Sequence, residues 1–141
     1  MNFAIIGCGR IAPRHAQALQ IIPDTQIVGV CDVVEKRAAN YAQTYGGEAY
    51  TDYHRLLERE DIDIVSICVP SGLHVQIGLA AAKAGKNILM EKPIALNVSD
   101  ADQLIDACNQ AGVTLGCVLQ NRFNPPMQEL RKLADEGGLG G

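Results

Sequence analysis

The sequence predicts an α/β protein built on a doubly wound parallel sheet, and three observations carry that prediction. Short apolar runs alternate with helix-like segments along the 141 residues, a pattern that builds parallel sheets with helices on both faces. A glycine-rich turn, Gly7-Cys8-Gly9-Arg10-Ile11-Ala12, directly follows the first apolar run. An acid, Asp32, ends the second run twenty positions after Ala12.

The elements follow in order. Phe3–Ile6 is a short apolar strand, and a helix from about Arg10 to Gln20 stops before Pro23. The strand Ile27–Cys31 precedes a polar helix, about Val34 to Thr44, ended by Gly46-Gly47. Glu48–Tyr50 is a weak third strand, and Thr51 or Asp52 caps a short helix through Leu56 and Leu57. Ile62–Val69 is the most apolar run and is expected at the centre of the sheet. Ser71 is placed to cap a helix that runs to Ala84 and stops at Gly85. Asn87–Met90 is a fifth strand. Ser99-Asp100-Ala101-Asp102 opens a helix in the manner of a capping box. Ala101, Leu104, Ile105, Cys108 and Ala111 form its apolar face and Gly112 closes it. Val113–Leu119 is a sixth strand, and Pro125-Pro126 opens a last helix that ends near Glu136. Residues 1–136 therefore form one domain, and 137–141 form a glycine-rich tail.

In such a sheet each loop that follows a strand emerges at the carboxyl edge. That edge gathers the glycine loop, Asp32, Pro70 to His74, Glu91-Lys92-Pro93 and Gln120 to Asn124. The glycine loop has the chemistry of a dinucleotide cradle. Gly7 permits a tight turn, Gly9 lets a pyrophosphate approach the backbone, and Ala12 lets the helix pack closely on the strand. The free N–H groups of that helix then face the phosphates, and Asp32 can accept hydrogen bonds from ribose hydroxyls. The motif with a strand before it, a helix after it and the acid at this distance is far more specific than the glycines alone.

Composition narrows the class. The chain is 48% hydrophobic and 20% charged, with net charge −4, which gives no electrostatic reason to bind nucleic acid or an anionic membrane. No apolar run approaches the length of a membrane span. A strand beginning at residue 2 leaves no room for a secretion signal. Five cysteines, an odd number without C-x-x-C spacing, read as small reduced thiols, and the expected location is the cytoplasm. No cluster has metal-ligand spacing.

Glu91-Lys92-Pro93 directly follows the fifth strand. Near the cationic ring of an oxidised nicotinamide a lysine loses affinity for its proton. That suits it to orient a hydroxyl or relay its proton, while Glu91 could hold the nicotinamide ribose. On spacing alone the two charges could equally be a solvated pair in an ordinary loop.

Taken together, the runs Gly7-Cys8-Gly9-Arg10-Ile11-Ala12, Pro70-Ser71-Gly72-Leu73-His74, Glu91-Lys92-Pro93 and Arg122-Phe123 resemble the Gfo/Idh/MocA oxidoreductases. The resemblance implies a Rossmann domain that binds NAD. It implies that Lys92 is catalytic, between nicotinamide and substrate, that the Lys92–Pro93 bond is cis, and that Glu91 contacts the nicotinamide half. The loop from Pro70 to His74 would pass the nicotinamide ribose and pyrophosphate, with Ser71 standing where the family often has Asn. The implied cofactor set is Gly7, Gly9, Arg10, Ile11, Asp32, Arg37, Pro70, Ser71, His74, Glu91, Lys92 and Gln120, in which Arg37 could stack over adenine or reach a phosphate. Ile11-Ala12-Pro13-Arg14-His15 and Gln120-Asn121-Arg122-Phe123-Asn124-Pro125 look like the branch that oxidises the 3-hydroxyl of UDP-N-acetylglucosamine-type uronic acids. Arg14 and Arg122 would then meet a carboxylate or diphosphate of the substrate. His15 reads as a packed or surface helix histidine, and His54 receives no function.

Family members carry a second α/β domain that binds substrate and supplies an acid–base histidine, and the tail at 137–141 stands where it would begin. The expected whole is a sugar or sugar-nucleotide dehydrogenase, a homo-oligomer when full length, with the 141 residues alone inactive. Alternative readings are a non-catalytic NAD-binding sensor and a dehydrogenase of a non-sugar alcohol.

Overall fold

The computed structural model describes residues 1–138 and shows six parallel strands among them, in the order β3-β2-β1-β4-β5-β6. These are β1 (Asn2–Ile6), β2 (Gln26–Cys31), β3 (Glu48–Tyr50), β4 (Ile64–Ile67), β5 (Asn87–Met90) and β6 (Leu115–Cys117). The helices are α1 (Ala12–Ile21), α2 (Glu35–Tyr45), α3 (Tyr53–Leu57), α4 (His74–Lys83), α5 (Val98–Ala111) and α6 (Pro125–Asp135). The tail residues 139–141 lie outside the described residues.

Strand alternation divides the core in two. Phe3 and Ile5 of β1 point toward α1 and α2, where they pack with Ala12, Ala16, Leu19 and Tyr41. Ala4 and Ile6 point the other way, into a larger cluster with Val65 and Ile67 of β4, Ile88 and Met90 of β5, and Ile77, Ala81 and Leu104 of α4 and α5. The apolar β4 lies beside β1, in register from Phe3↔Ile64 to Ile6↔Ile67. The chain reverses its direction of travel across the sheet between these strands. A crevice must open there, because the following loops diverge to opposite faces.

Three expectations about local structure are corrected. Ser71 does not cap α4: residues Ser71–Leu73 form a 3₁₀ turn held by the Leu73 N–H donating to the Pro70 carbonyl (2.9 Å), and α4 starts only at His74. The cap of α5 is Asn97, two residues before Ser99. Its Oδ1 accepts from the Asp100 N–H (2.9 Å) and its Nδ2 donates to the Asp100 carboxylate (2.8 Å). An equally good cap residue thus sits earlier with an acid three positions on. Ile105 and Ala111, placed on the buried face, are exposed, Ile105 by 41%, whereas Leu104 and Cys108 of the same face are buried as expected. β4 and β6 are also shorter than the runs Ile62–Val69 and Val113–Leu119. Asp52 rather than Thr51 caps α3, accepting from the His54 N–H.

Candidate cofactor and active site

Backbone geometry fixes the glycine loop. Gly7 has φ +93°, and its N–H donates to the Cys31 carbonyl at 2.7 Å. A Cβ built at Gly7 would lie 2.8 Å from the Cys68 carbonyl carbon and oxygen, so the backbone just after β4 leaves no room for a side chain. A Cβ at Gly9 would meet nothing within 4 Å. The two glycines therefore answer to different demands. Gly7 is imposed by the fold, whereas the fold makes no demand at Gly9 and leaves space outside the backbone there. This open cradle, next to the start of α1, fits a pyrophosphate.

Asp32 stands against the glycine loop. It is 8% exposed, and its Oδ2 accepts from the Cys8 N–H (3.0 Å) while Oδ1 accepts from the Val34 N–H (2.9 Å). Each carboxylate oxygen keeps a lone pair for a ribose hydroxyl. The Arg37 guanidinium is 4.0 Å from Oδ1 and largely exposed, at the rim.

The other expected residues meet across the switch point. Arg10, Ile11, Arg14, Pro70, Ser71, His74, Glu91, Lys92 and Gln120 all line one crevice of about 440 Å³. The Lys92–Pro93 bond is cis. Lys92 is exposed along this crevice, whereas Glu91 is 6% exposed. A second, almost wholly apolar cavity of about 580 Å³ shares Ile11, Arg14, Glu91 and Gln120 with the first and extends over Ser66 and Leu89. It opens on the sheet face opposite α4 and α5, between β4–β6 and α1, which contributes Arg14, His15, Ala18 and Leu19 to its wall. Arg122 lines neither cavity: it sits in the 3₁₀ turn Gln120–Phe123 with its guanidinium 5.8 Å from the Phe123 ring centre. All of α6 is exposed.

Two histidines behave differently from expectation. His74 is 1% exposed; its Nδ1 lies 2.7 Å from the Pro93 carbonyl oxygen and its Nε2 3.0 Å from the Val69 carbonyl oxygen. Neither ring nitrogen is left for a cofactor. His15 is packed, as expected of a helix histidine, but its partners were not foreseen. Nε2 donates to Glu91 Oε1 (2.9 Å), and Nδ1 lies 2.8 Å from the Ser66 hydroxyl. The other Glu91 oxygen accepts from the Lys92 N–H (3.1 Å). His15 and Glu91 are 76 residues apart, so no local signal links them. The one clue is positional: His15 follows Ala12 by one helical turn, on the face that packs against the sheet.

Burial pushes the Cys8, Cys31 and Cys68 thiols up to about 12, with Asp32 adding to the effect at Cys8 and Cys31. All five cysteines are free, and no group of residues able to hold a metal ion occurs among the described residues. No described helix is long and apolar enough to cross a membrane.

Comparison with known proteins agrees with this geometry. The family described as "Oxidoreductase family, NAD-binding Rossmann fold" matches residues 1–118. The chain is 34% identical over 141 residues to the myo-inositol 2-dehydrogenase of Thermotoga maritima, an alignment that covers 99% of this chain and 42% of that protein. The WlbA dehydrogenase of Bordetella pertussis, solved with NADH and UDP-GlcNAcA, superposes with a TM-score of 0.93 at 30% identity, over 97% of this chain and 43% of that one. KijD10, a 3-ketoreductase of Actinomadura kijaniata solved with NADP, gives 0.90 at 30% identity, over 99% and 45%. The chain thus spans about two-fifths of the length of the relatives it matches. An all-parallel sheet in the order 3-2-1-4-5-6, a glycine cradle beside Asp32, and this match over most of the sequence lead to one conclusion: the chain belongs to the Gfo/Idh/MocA oxidoreductase family and is its NAD-binding domain.

Proposed function

We propose that this chain is the cofactor-binding part of an NAD-dependent dehydrogenase that oxidises a secondary hydroxyl of a sugar or sugar nucleotide. The observation that carries the reading is the meeting of Glu91-Lys92 with the glycine loop and the Pro70–His74 loop in one crevice. A binding module has no need of an exposed lysine at the end of β5; a proton-transfer site does.

Gly7 and Gly9 admit the pyrophosphate, Arg10 and Ile11 flank it, and Asp32 takes the adenosine ribose, with Arg37 over the adenine edge. Pro70, Ser71 and Gln120 border the nicotinamide half, and the spare Glu91 lone pairs face it. NAD, when bound, supplies the hydride acceptor. Lys92 holds the substrate hydroxyl and takes its proton as the carbon is oxidised. Arg14, on the crevice wall, meets a substrate carboxylate or diphosphate; Arg122 serves the same anion only where a second domain brings substrate to its turn. Residues 1–136 form the domain, and 137–141 begin the linker to a second domain that completes the substrate pocket. The whole enzyme is a cytoplasmic homo-oligomer.

The test joins this chain to its second domain and follows NADH formation with a panel of inositols, aldoses, UDP-linked uronic acids and non-sugar alcohols. Turnover confined to sugars or sugar nucleotides supports the reading. Tight NAD binding without turnover on any of them overturns it in favour of a sensor.

A further inference from the structure

We propose that His15 and His74 are positioning residues that clamp the Glu91-Lys92-Pro93 segment from opposite faces of the sheet. The inference deepens the dehydrogenase reading, on which its chemical purpose rests.

The segment needs such support. It leaves β5 at the sheet edge, where ladder bonding stops: the Glu91 N–H still donates to the Ile67 carbonyl (3.1 Å), but Pro93 has no N–H to continue. Lys92, between them, is exposed. An exposed side chain on an unladdered backbone would wander, and proton transfer requires its amine within hydrogen-bond reach of one atom.

Each histidine supplies a fixed point, and each reaches it from a different element. His15 comes from α1, on the face that carries Phe3, Ile5 and Ser66. Its ring is fixed by Ser66, which is fully buried on β4, and it presents Nε2–H to Glu91 Oε1. The carboxylate so oriented turns Oε2 to the Lys92 N–H. Removal of the imidazole would free a buried carboxylate to rotate and would release that N–H. His74 comes from α4, on the other face, and its ring lies between the Val69 and Pro93 carbonyls. It ties the end of the lysine segment to the loop that forms the opposite crevice wall. Lys92 therefore hangs between two bonded neighbours, one held from above the sheet and one from below. A histidine needed only to fill space would not put both nitrogens on polar partners, and here both rings do.

Amide hydrogen exchange in the 141-residue chain tests this without reference to activity. The Lys92 amide, which donates to Glu91 Oε2, should be protected in the parent. His15→Ala and His74→Ala should each speed its exchange by about tenfold or more, while Val65 and Ile67 in β4 stay within about threefold. His15→Gln, whose side-chain amide can still donate to Glu91, should restore Lys92 protection. His15→Asn, one methylene shorter, should not, and it gives a second reading should the alanine variant fail to fold. An unprotected Lys92 amide in the parent, no local change in the variants, or a rise that Val65 and Ile67 share would overturn the proposal. In the two-domain enzyme the same variants should lower kcat with little change in KM for NAD. Lys92→Ala assayed in parallel separates the two ideas: if it leaves turnover intact the dehydrogenase reading fails, whatever the exchange rates show.

Discussion

The Cys8 N–H donates to Asp32 Oδ2 at 3.0 Å, so the residue between the two glycines is tied to the acid that ends β2. One carboxylate thereby holds the glycine loop and, on the proposed reading, is the group that would meet the adenosine ribose. Its other oxygen holds the Val34 N–H in the same way. A 2′-phosphate brought to this place meets a buried anion whose nearest donors are already used. NAD should therefore bind at least about tenfold more tightly than NADP, about 1.4 kcal/mol. Asp32→Ala should narrow or reverse the gap, because it removes the charge and frees two N–H groups beside Arg37. Titration of both cofactors against both proteins measures this; equal or tighter NADP binding by the parent would count against it.

The glycines of the loop make a sharper contrast. Gly7→Ala forces a side chain into a left-handed conformation and against the Cys68 backbone at 2.8 Å. The strain alone costs on the order of 1–3 kcal/mol, and the melting temperature should fall by several degrees or more. Gly9→Ala meets nothing within 4 Å, so the free chain should melt close to the parent. Its loss should appear in NAD affinity, by about tenfold or more, since the new methyl stands where the pyrophosphate approaches. Thermal melts with and without NAD separate the two effects.

How far these features were legible beforehand depended on how local they were. The cradle could be read because strand, glycines, small residue and acid lie within one stretch from Phe3 to Asp32 and each has a local reason. The parallel sheet followed from the alternation, and the inner place of β4 from its being the most apolar run. The Asn97 cap was misplaced because Asn97 and Ser99 are both good caps, and only the Asn97–Asp100 contact decides between them. The His15–Glu91 and His74–Pro93 contacts were illegible for a different reason. They join elements 76 and 19 residues apart, and a histidine on a helix gives no sign of what lies across the packing interface. Motif resemblance alone points to Arg122: its turn brings Gln120 to both cavities, but Arg122 itself lines neither.

The cysteines give a pH-dependent expectation. With thiols at about 12 in the folded chain against a usual 9.0, the thiolate fraction of Cys8, Cys31 and Cys68 at pH 8 falls about a thousandfold. Native chain should react very slowly with iodoacetamide at these three sites, and unfolded chain quickly. The sign for stability follows. The folded state holds these protons more tightly than the unfolded state, so the contribution is complete below about pH 9 and is lost as pH rises from 9 toward 12. The melting temperature should hold through pH 8 and drop above pH 9. Mass mapping of alkylated peptides checks the first point. A Cys8 as reactive as free thiol at pH 8 would contradict the burial seen here.

In the two-domain protein, Lys92→Ala should reduce kcat about 10²–10⁴-fold while KM for NAD changes little. Lys92 lines the crevice, whereas Gly7, Gly9 and Asp32, the residues proposed for pyrophosphate and adenosine, are not among the residues that line it. Steady-state kinetics with a sugar that the parent oxidises would show the split. A kcat within a few-fold of the parent would make Lys92 a loop charge only.

The 141-residue chain by itself should bind NAD and reduce none of it. The residues proposed for adenosine and pyrophosphate all lie within residues 7–37, and Asp32 is buried and held by two backbone N–H groups. The crevice wall beyond Lys92 is open, and the apolar cavity beside Ser66 and Leu89 lies bare among the described residues. Water therefore reaches the place where a hydride would move, and nothing there holds a substrate against Lys92. A ligand that binds only the native state must stabilise it, by about 2.7 kcal/mol at a hundred times its Kd. NAD should thus raise the melting temperature in a concentration-dependent way, and ADP-ribose should raise it nearly as much, because the shared half of the molecule makes the proposed contacts. A melting temperature unmoved by saturating NAD would contradict the cradle. NADH formation by these 141 residues with any of the sugars would show that the crevice is sufficient for chemistry without a second domain.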